Sequence, residues 1–346
     1  MSAPFRIDLR DASTFPSRRV EEWKYSDLRR FLREAPAASP EAEAGPGGPF
    51  AALGGDERLF VNGRCDGLPA VTAAGDGDHV ARLRFVSAAE GTGHQAICRV
   101  EVGPGARLLL LESHEGRGAA YVANVALDVM LGDGAQLERV VLVEDAADAI
   151  SLARADVALG AGASLIQTTL ATGARLQRQE THVAHPGAGA YAHMDALYLL
   201  DGARHTDLTT TVDHAGPDGV TSQLTKGVVR DEGRGVFQGR ILVREGADGT
   251  DARMNHHAMI TSDRGEVDAK PELEIYADDV ACAHGNTVGA LDENALFYAR
   301  SRGIPEEEAR AMLTEAFLGE VIDRIGREDV RELLRGWLSE KLGGPA

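Results

Sequence analysis

The sequence predicts a mainly β fold, a right-handed parallel β-helix (solenoid) flanked by N- and C-terminal helical segments. Three observations predict it. Turns of the form Gly-x-Gly-Ala begin at Gly103, Gly132, Gly160 and Gly187, 27 to 29 residues apart, and Gly216 continues the series. From residue 81 to 290, short β-like runs alternate with such turns and helical periodicity is nearly absent. After Gly289 the pattern becomes helical. A repeat of this length with short strands and tight turns marks one coil of a solenoid, whereas a sandwich would turn every ~10 residues. Three regions follow: 1–80 (helical segment, linker and hairpin), 81–290 (the β-helix) and 291–346 (a helical domain).

Near the N-terminus, Pro16 opens a segment with apolar positions at Trp23, Leu28, Phe31 and Leu32. Glu21 and Glu22 would favour the first turn of a helix there. Residues 35–55 are rich in Ala, Pro and Gly, the composition of a mobile linker. Arg58 to Arg64 reads as a hairpin around Asn62-Gly63. The repeat region of about 210 residues predicts about seven coils, a rod roughly 35 Å long at ~4.8 Å per coil. Such a rod ends in unpaired backbone groups unless something covers them. The N-terminal segment could cover one end, and the end near residues 270–290 is free to receive another β-helix. That opening predicts self-association of the isolated chain into a two-fold homodimer. Beyond it, Pro305 and Glu306 to Glu308 start one helix and Asp329 a second, with apolar stripes through Phe317 and Trp337.

The chain has 346 residues, 43% of them apolar, and carries a net charge of −18 from 36 bases and 54 acids. The apolar content supports a real core, and the charge argues against a nucleic-acid partner. Three scattered cysteines, Cys65, Cys98 and Cys282, do not describe a disulfide framework. The N-terminal residues lack an apolar segment of signal length, and no run approaches the ~20 apolar residues of a membrane span. A reducing, cytoplasmic location and no membrane partner are the expectation.

The chemistry concentrates in residues 271–289, PELEIYADDVACAHGNTVG. On an extended strand, residues i and i+2 face the same way, so Cys282 and His284 would project side by side. Thiolate and imidazole suit zinc, copper and iron–sulfur chemistry. Two donors cannot close a four-coordinate site, so a metal here would need ligands from elsewhere, including another chain. The alternative is a buried cysteine beside a hydrogen-bonded histidine with no ligand role. None of the four lysines is followed by Ser or Thr, so there is no P-loop. The nucleophile elbow and the zinc-protease motif are absent too. His182, His185, His193, His205, His214, His256 and His257 show no ligand spacing, since an i+3 pair on a strand faces opposite sides. They read as core or solvated histidines. Asp207, Asp213 and Asp218 could serve a β-helix polysaccharide lyase or esterase, but their spacing carries no information.

Four segments together resemble the SufB/SufD family of iron–sulfur cluster assembly proteins. They are PSRRVEEWKYSDL (16–28), VFQGRILVREGADGTDAR (236–253), the segment 271–289 and FYARSRGIPEEEAR (297–310). The resemblance implies a non-enzymatic scaffold subunit, a parallel β-helix that forms a heterodimer with SufB and binds the ATPase SufC. It places a transient, nascent iron–sulfur cluster at the interface with SufB, with His284 as a metal ligand and Cys282 as a second ligand or its neighbour. It admits reduced flavin in the complex. It also assigns the C-terminal helices, through Phe317 and Trp337, to SufC docking. Ala283 and Asn286 stand where the family often has Ser and Ala. Cys65 and Cys98 match no sulfur-handling cysteine of the family, so persulfide delivery would fall to SufB. A purely structural SufB partner with an inert Cys-x-His is the remaining alternative.

Overall fold

The computed structural model describes residues 7–45 and 47–343. Eighteen strands wind as a parallel β-solenoid of about eight turns. They are β1 (Asp56–Val61), β2 (Arg64–Cys65), β3 (Ala70–Ala73), β4 (Asp78–Ser87), β5 (Gly93–Val102), β6 (Arg107–Gly116), β7 (Val122–Leu131), β8 (Gln136–Glu144) and β9 (Ile150–Leu159), followed by β10 (Ser164–Ala171), β11 (Leu176–His185), β12 (Tyr191–Leu200), β13 (His205–His214), β14 (Val220–Val229), β15 (Arg234–Val243), β16 (Asp251–Ile260), β17 (Glu266–Ile275) and β18 (Ala281–Gly289). β1 and β2 share one sheet, and from β2 on successive strands alternate between two sheets. One runs β18-β16-β14-β12-β10-β8-β6-β4-β1-β2 and the other β17-β15-β13-β11-β9-β7-β5-β3. The solenoid starts earlier than residue 81 because β1 pairs in parallel with β4. That is the origin of the extra turn beyond the seven expected. The Asn62-Gly63 hairpin forms as expected, with φ of 46° and 78°, and folds β2 back antiparallel onto β1.

Period-two alternation divides each strand between the interior and an outer face. Inward rows of Val, Leu, Ala, Phe and Met fill the space between the sheets. The repeated turn explains the register. Its third residue sits at positive φ, as in Gly105 (69°), Gly134 (66°) and Gly162 (61°). Its fourth, Ala106, Ala135, Ala163 or Ala190, is buried inside the corner.

Both flanking segments lie along the sides of the solenoid. The N-terminal stretch crosses the outer face of the eight-stranded sheet, packing Leu9, Phe15, Trp23 and Leu28 on Val122, Ile150, Leu152 and Leu176. Its helical content is one α turn, α1 (Leu28–Phe31), and short 3-10 turns at Ala12–Thr14, Glu21–Trp23 and Ala51–Leu53. The apolar stripe read as one helix is thus a strap whose spacing follows the sheet beneath it. The expected linker is docked as well, with Ser39, Ala44 and Phe50 buried and Ala38 bridged to Gly93.

At the other end of the chain, α2 (Glu293–Ser301), α3 (Glu306–Asp323) and α4 (Glu328–Lys341) fold back over the ten-stranded sheet. The first was not separately expected; Asp292 caps it through the N–H groups of Asn294 and Ala295. Leu318, Val321 and Ile322 of α3 meet a sheet face bearing Leu197, Leu199, Leu224 and Val228. Two charged residues of that face hold α3. Lys226 pairs with Glu320 and lies 4.4 Å from the Phe317 ring centroid. Buried Asp195 takes Arg324 at 3.0 Å. Among the described residues no helix is long and apolar enough to cross a membrane.

Candidate functional site

β17 and β18 are the last strands of their sheets, so each exposes one ladder edge. Along β18 the pairs Cys282 with Ala252 and His284 with Met254 set both candidate ligands on the inward row, because Ala252 and Met254 belong to the interior core. Cys282 is half-buried against that core, and burial pushes its thiol pKa up from the ordinary value. His284 is exposed, and its imidazole has no hydrogen-bond partner among the described residues. The strand therefore delivers a thiol and an imidazole to the open end of the solenoid, about 7 Å apart along the strand and facing one way.

The edge contains no third protein ligand among the described residues. Among the described residues no group of three or more His, Cys, Asp and Glu side chains could hold a metal ion. A thiolate and an imidazole at an unpaired edge are half of a tetrahedral donor set. They could complete one only when a second surface is brought against them. Apolar side chains surround the opening: Ile275, Tyr276 and Val288 are exposed, and Leu273, Ala277 and Val280 are packed on the core only in part. An exposed apolar rim beside unpaired backbone marks a surface suited to protein contact.

The other candidate residues lie elsewhere. Phe317 is half-buried between α3 and the sheet, under Lys226. Trp337 is buried in the same layer, with its indole N–H unpartnered. The exposed apolar side chains of the helical layer are instead Phe297, Tyr298 and Met312. Cys98 is buried near the opposite end, its thiol pushed up to about 12 by desolvation, which leaves it inert. Of the scattered histidines, His185, His205, His214 and His256 are buried. Two of the scattered histidines reach the candidate edge, buried His256 through Asn286 on the inward row and His257 through Thr287 on the other face, and a sequence separation of 30 residues hides both pairings from any local motif.

A family model described as "SUF system FeS cluster assembly, SufBD core domain" matches residues 85–317. A SufBD family iron–sulfur cluster assembly protein of Synechocystis is 31% identical over 219 residues, covering 63% of this chain and 48% of the relative. The iron–sulfur cluster assembly protein SufD of Escherichia coli is 31% identical over 229 residues, 66% of this chain and 53% of the relative. SufD of Bacillus subtilis is 30% identical over 156 residues, 45% of this chain and 36% of the relative. The alignments with the cyanobacterial and E. coli proteins thus span about half the length of those relatives.

Proposed function

The chain belongs to the SufBD family of the SUF iron–sulfur cluster assembly system, and from that premise we propose that it is a SufD-type scaffold subunit without catalytic activity of its own. The observation that carries this reading is the incomplete donor set at the open edge: Cys282 and His284 face inward from a strand whose outer edge is unpaired, with no third ligand nearby among the described residues. On this reading SufB docks against β17 and β18 and supplies the remaining donors, so that a nascent cluster is held only while the two subunits are joined. The cluster is cargo, assembled and passed on. Its electrons come from outside this chain, with reduced flavin in the complex as the proposed carrier.

The helical layer is proposed to bind SufC. The stripe through Phe317 and Trp337 is occupied by the solenoid's own sheet, so the outward side with Phe297, Tyr298 and Met312 is the proposed contact. A layer held to the sheet by Lys226 and Asp195 would carry movement of a bound ATPase to the solenoid as a body. Cytoplasmic location follows from the same proposal.

The test is co-expression with SufB and SufC, co-purification, and anaerobic reconstitution with ferrous iron and sulfide. His284→Ala is expected to reduce cluster loading at least tenfold while SufB and SufC still co-purify, because an exposed edge histidine contributes nothing to the core. Cys282→Ala is expected to reduce it less. Undiminished loading in His284→Ala would identify the pair as inert and this subunit as a purely structural partner.

A further inference from the structure

Asn286 is the third inward residue of β18, beyond Cys282 and His284, and its ladder partner is His256 on β16. His256 Nδ1 lies 2.7 Å from Asn286 Oδ1, and its Nε2 lies 3.0 Å from the Tyr198 hydroxyl on β12. Both imidazole nitrogens are engaged. The ring lies flat against Phe237, centroids 4.9 Å apart and 2° from parallel, and is stacked with Tyr198 at 6.0 Å. Tyr198 and His256 are both fully buried.

Neighbouring strands make room for this column. A Cβ at Gly227 would fall 1.8 Å from Tyr198 Cζ, and one at Gly235 2.5 Å from its Cε2. Two strands thus present no side chain where the tyrosine ring passes. Tyr198 makes no other side-chain hydrogen bond among the described residues.

The column has a direction. With the Tyr198 hydroxyl donating to Nε2, the imidazole proton sits on Nδ1 and is donated to Asn286 Oδ1. Burial keeps the ring neutral, lowering its pKa to about 4, so this arrangement persists at neutral pH. The carboxamide oxygen is then committed inward. Asn286 is exposed, so its Nδ2 hydrogens, which have no protein partner among the described residues, are open to solvent in the row that holds the two candidate ligands.

We propose that Tyr198, His256 and Asn286 form a hydrogen-bond relay that presents the Asn286 amide nitrogen as a donor to an inorganic sulfur atom of a cluster held at His284, its nearest inward neighbour on β18. This rests on the site proposed above and assigns a role to three residues outside the ligand set. Asn286 is the donor, and His256 and Tyr198 are positioning residues. An N–H donor to a ligand or inorganic sulfur stabilises the more negative, reduced cluster and raises its reduction potential. Alanine cannot donate at this position, and aspartate would set an anion beside the sulfur.

Two measurements test the relay. In the isolated, 15N-histidine-labelled chain, long-range 1H–15N correlation is expected to show His256 as the neutral Nδ1–H tautomer, with Tyr198→Phe shifting the balance towards Nε2–H. A wild-type Nε2–H tautomer would reverse the relay and overturn the proposal. In the complex with SufB and SufC, loaded with ferrous iron and sulfide, Asn286→Ala should leave loading intact but shift the reduction potential down, and Asn286→Asp should shift it further. Tyr198→Phe, which removes one buried hydroxyl, should give a smaller shift of the same sign. Unchanged potentials across these variants, with loading still dependent on His284, would sink the relay alone. Loading independent of His284 would instead sink the site on which it rests.

Discussion

Arg178 shows how much of this molecule depends on one side chain away from the candidate ligands. It is 1% exposed on the outer face of the eight-stranded sheet. It pairs with Glu180 and Asp207 and lies under the Trp23 ring, 4.3 Å from its centroid. Desolvation opposes charge on both sides of the contact, and Arg178 beside Glu180 holds that carboxyl down at about 2. Removing the cation would leave two buried carboxylates facing each other, a loss of about 3–5 kcal/mol for a broken buried pair. Arg178→Met should therefore lower the urea midpoint by that measure and release the strap over Trp23, seen as increased tryptophan quenching. A variant as stable as wild type would mean that water replaces the guanidinium. None of this was legible in the sequence, because Arg178 and Asp207 are brought together by a register of 29 residues. Cys282 and His284 were legible because their relation is local, two residues along one strand. Asn286 appeared only as a departure from the family, and its partner became visible once β16 and β18 were aligned.

The repeated turn is the element that the sequence showed most clearly, and the structure gives separate reasons for its two glycines. The third position needs positive φ, as at Gly189 (66°). The first has an ordinary φ, and from the second turn of the series on it has no room: a Cβ at Gly132, Gly160 or Gly187 would lie 2.8, 2.6 or 2.3 Å from the turn stacked against it, at Gly187 from the backbone nitrogen of Ala161. Gly187→Ala should therefore act purely by forcing stacked turns apart, costing about 1–3 kcal/mol as for other overpacked sites. A denaturation curve with an unchanged midpoint would show that the turns can spread freely. The flanking elements were harder to read for a related reason. Stripes at Trp23, Leu28 and Phe31 reflect the sheet they cover and not a helix period. The stripe through Phe317 and Trp337 did indicate helices, but a stripe cannot say whether its partner is another protein or the solenoid's own face.

Across the whole molecule, buried and half-buried histidines make stability depend on pH. Desolvation lowers His94, His205, His214 and His256 to about 4 and His185 to about 3. His185 and His214 occupy successive rungs of an inward ladder, their rings 4.4 Å apart. In the unfolded chain each would titrate near 6.5. Below that value the unfolded state takes up protons that the folded state refuses. Stability is therefore complete above pH ~6.5 and is lost as pH falls towards 4, by up to ~1.4 kcal/mol per pH unit for each histidine. Urea midpoints at pH 7.5 and 5.5 should differ accordingly, and His214→Gln should flatten the slope. Equal midpoints would show that these rings are solvated in the folded state.

The two ends of the solenoid are not equivalent. At one, the outermost strands are two and four residues long, β2 and β3; at the other they are nine and ten, β18 and β17. Only the long pair offers a template worth copying, while the short pair is a blunt stop. When two such rods meet through their long edges, each consumes the other's growing tip and both outward tips are stops. Accretion arrests at two. A molecule built from the same stacking that lets fibres lengthen without limit would thereby be confined to a finite particle, and its one fertile tip is the place proposed above for the cargo site.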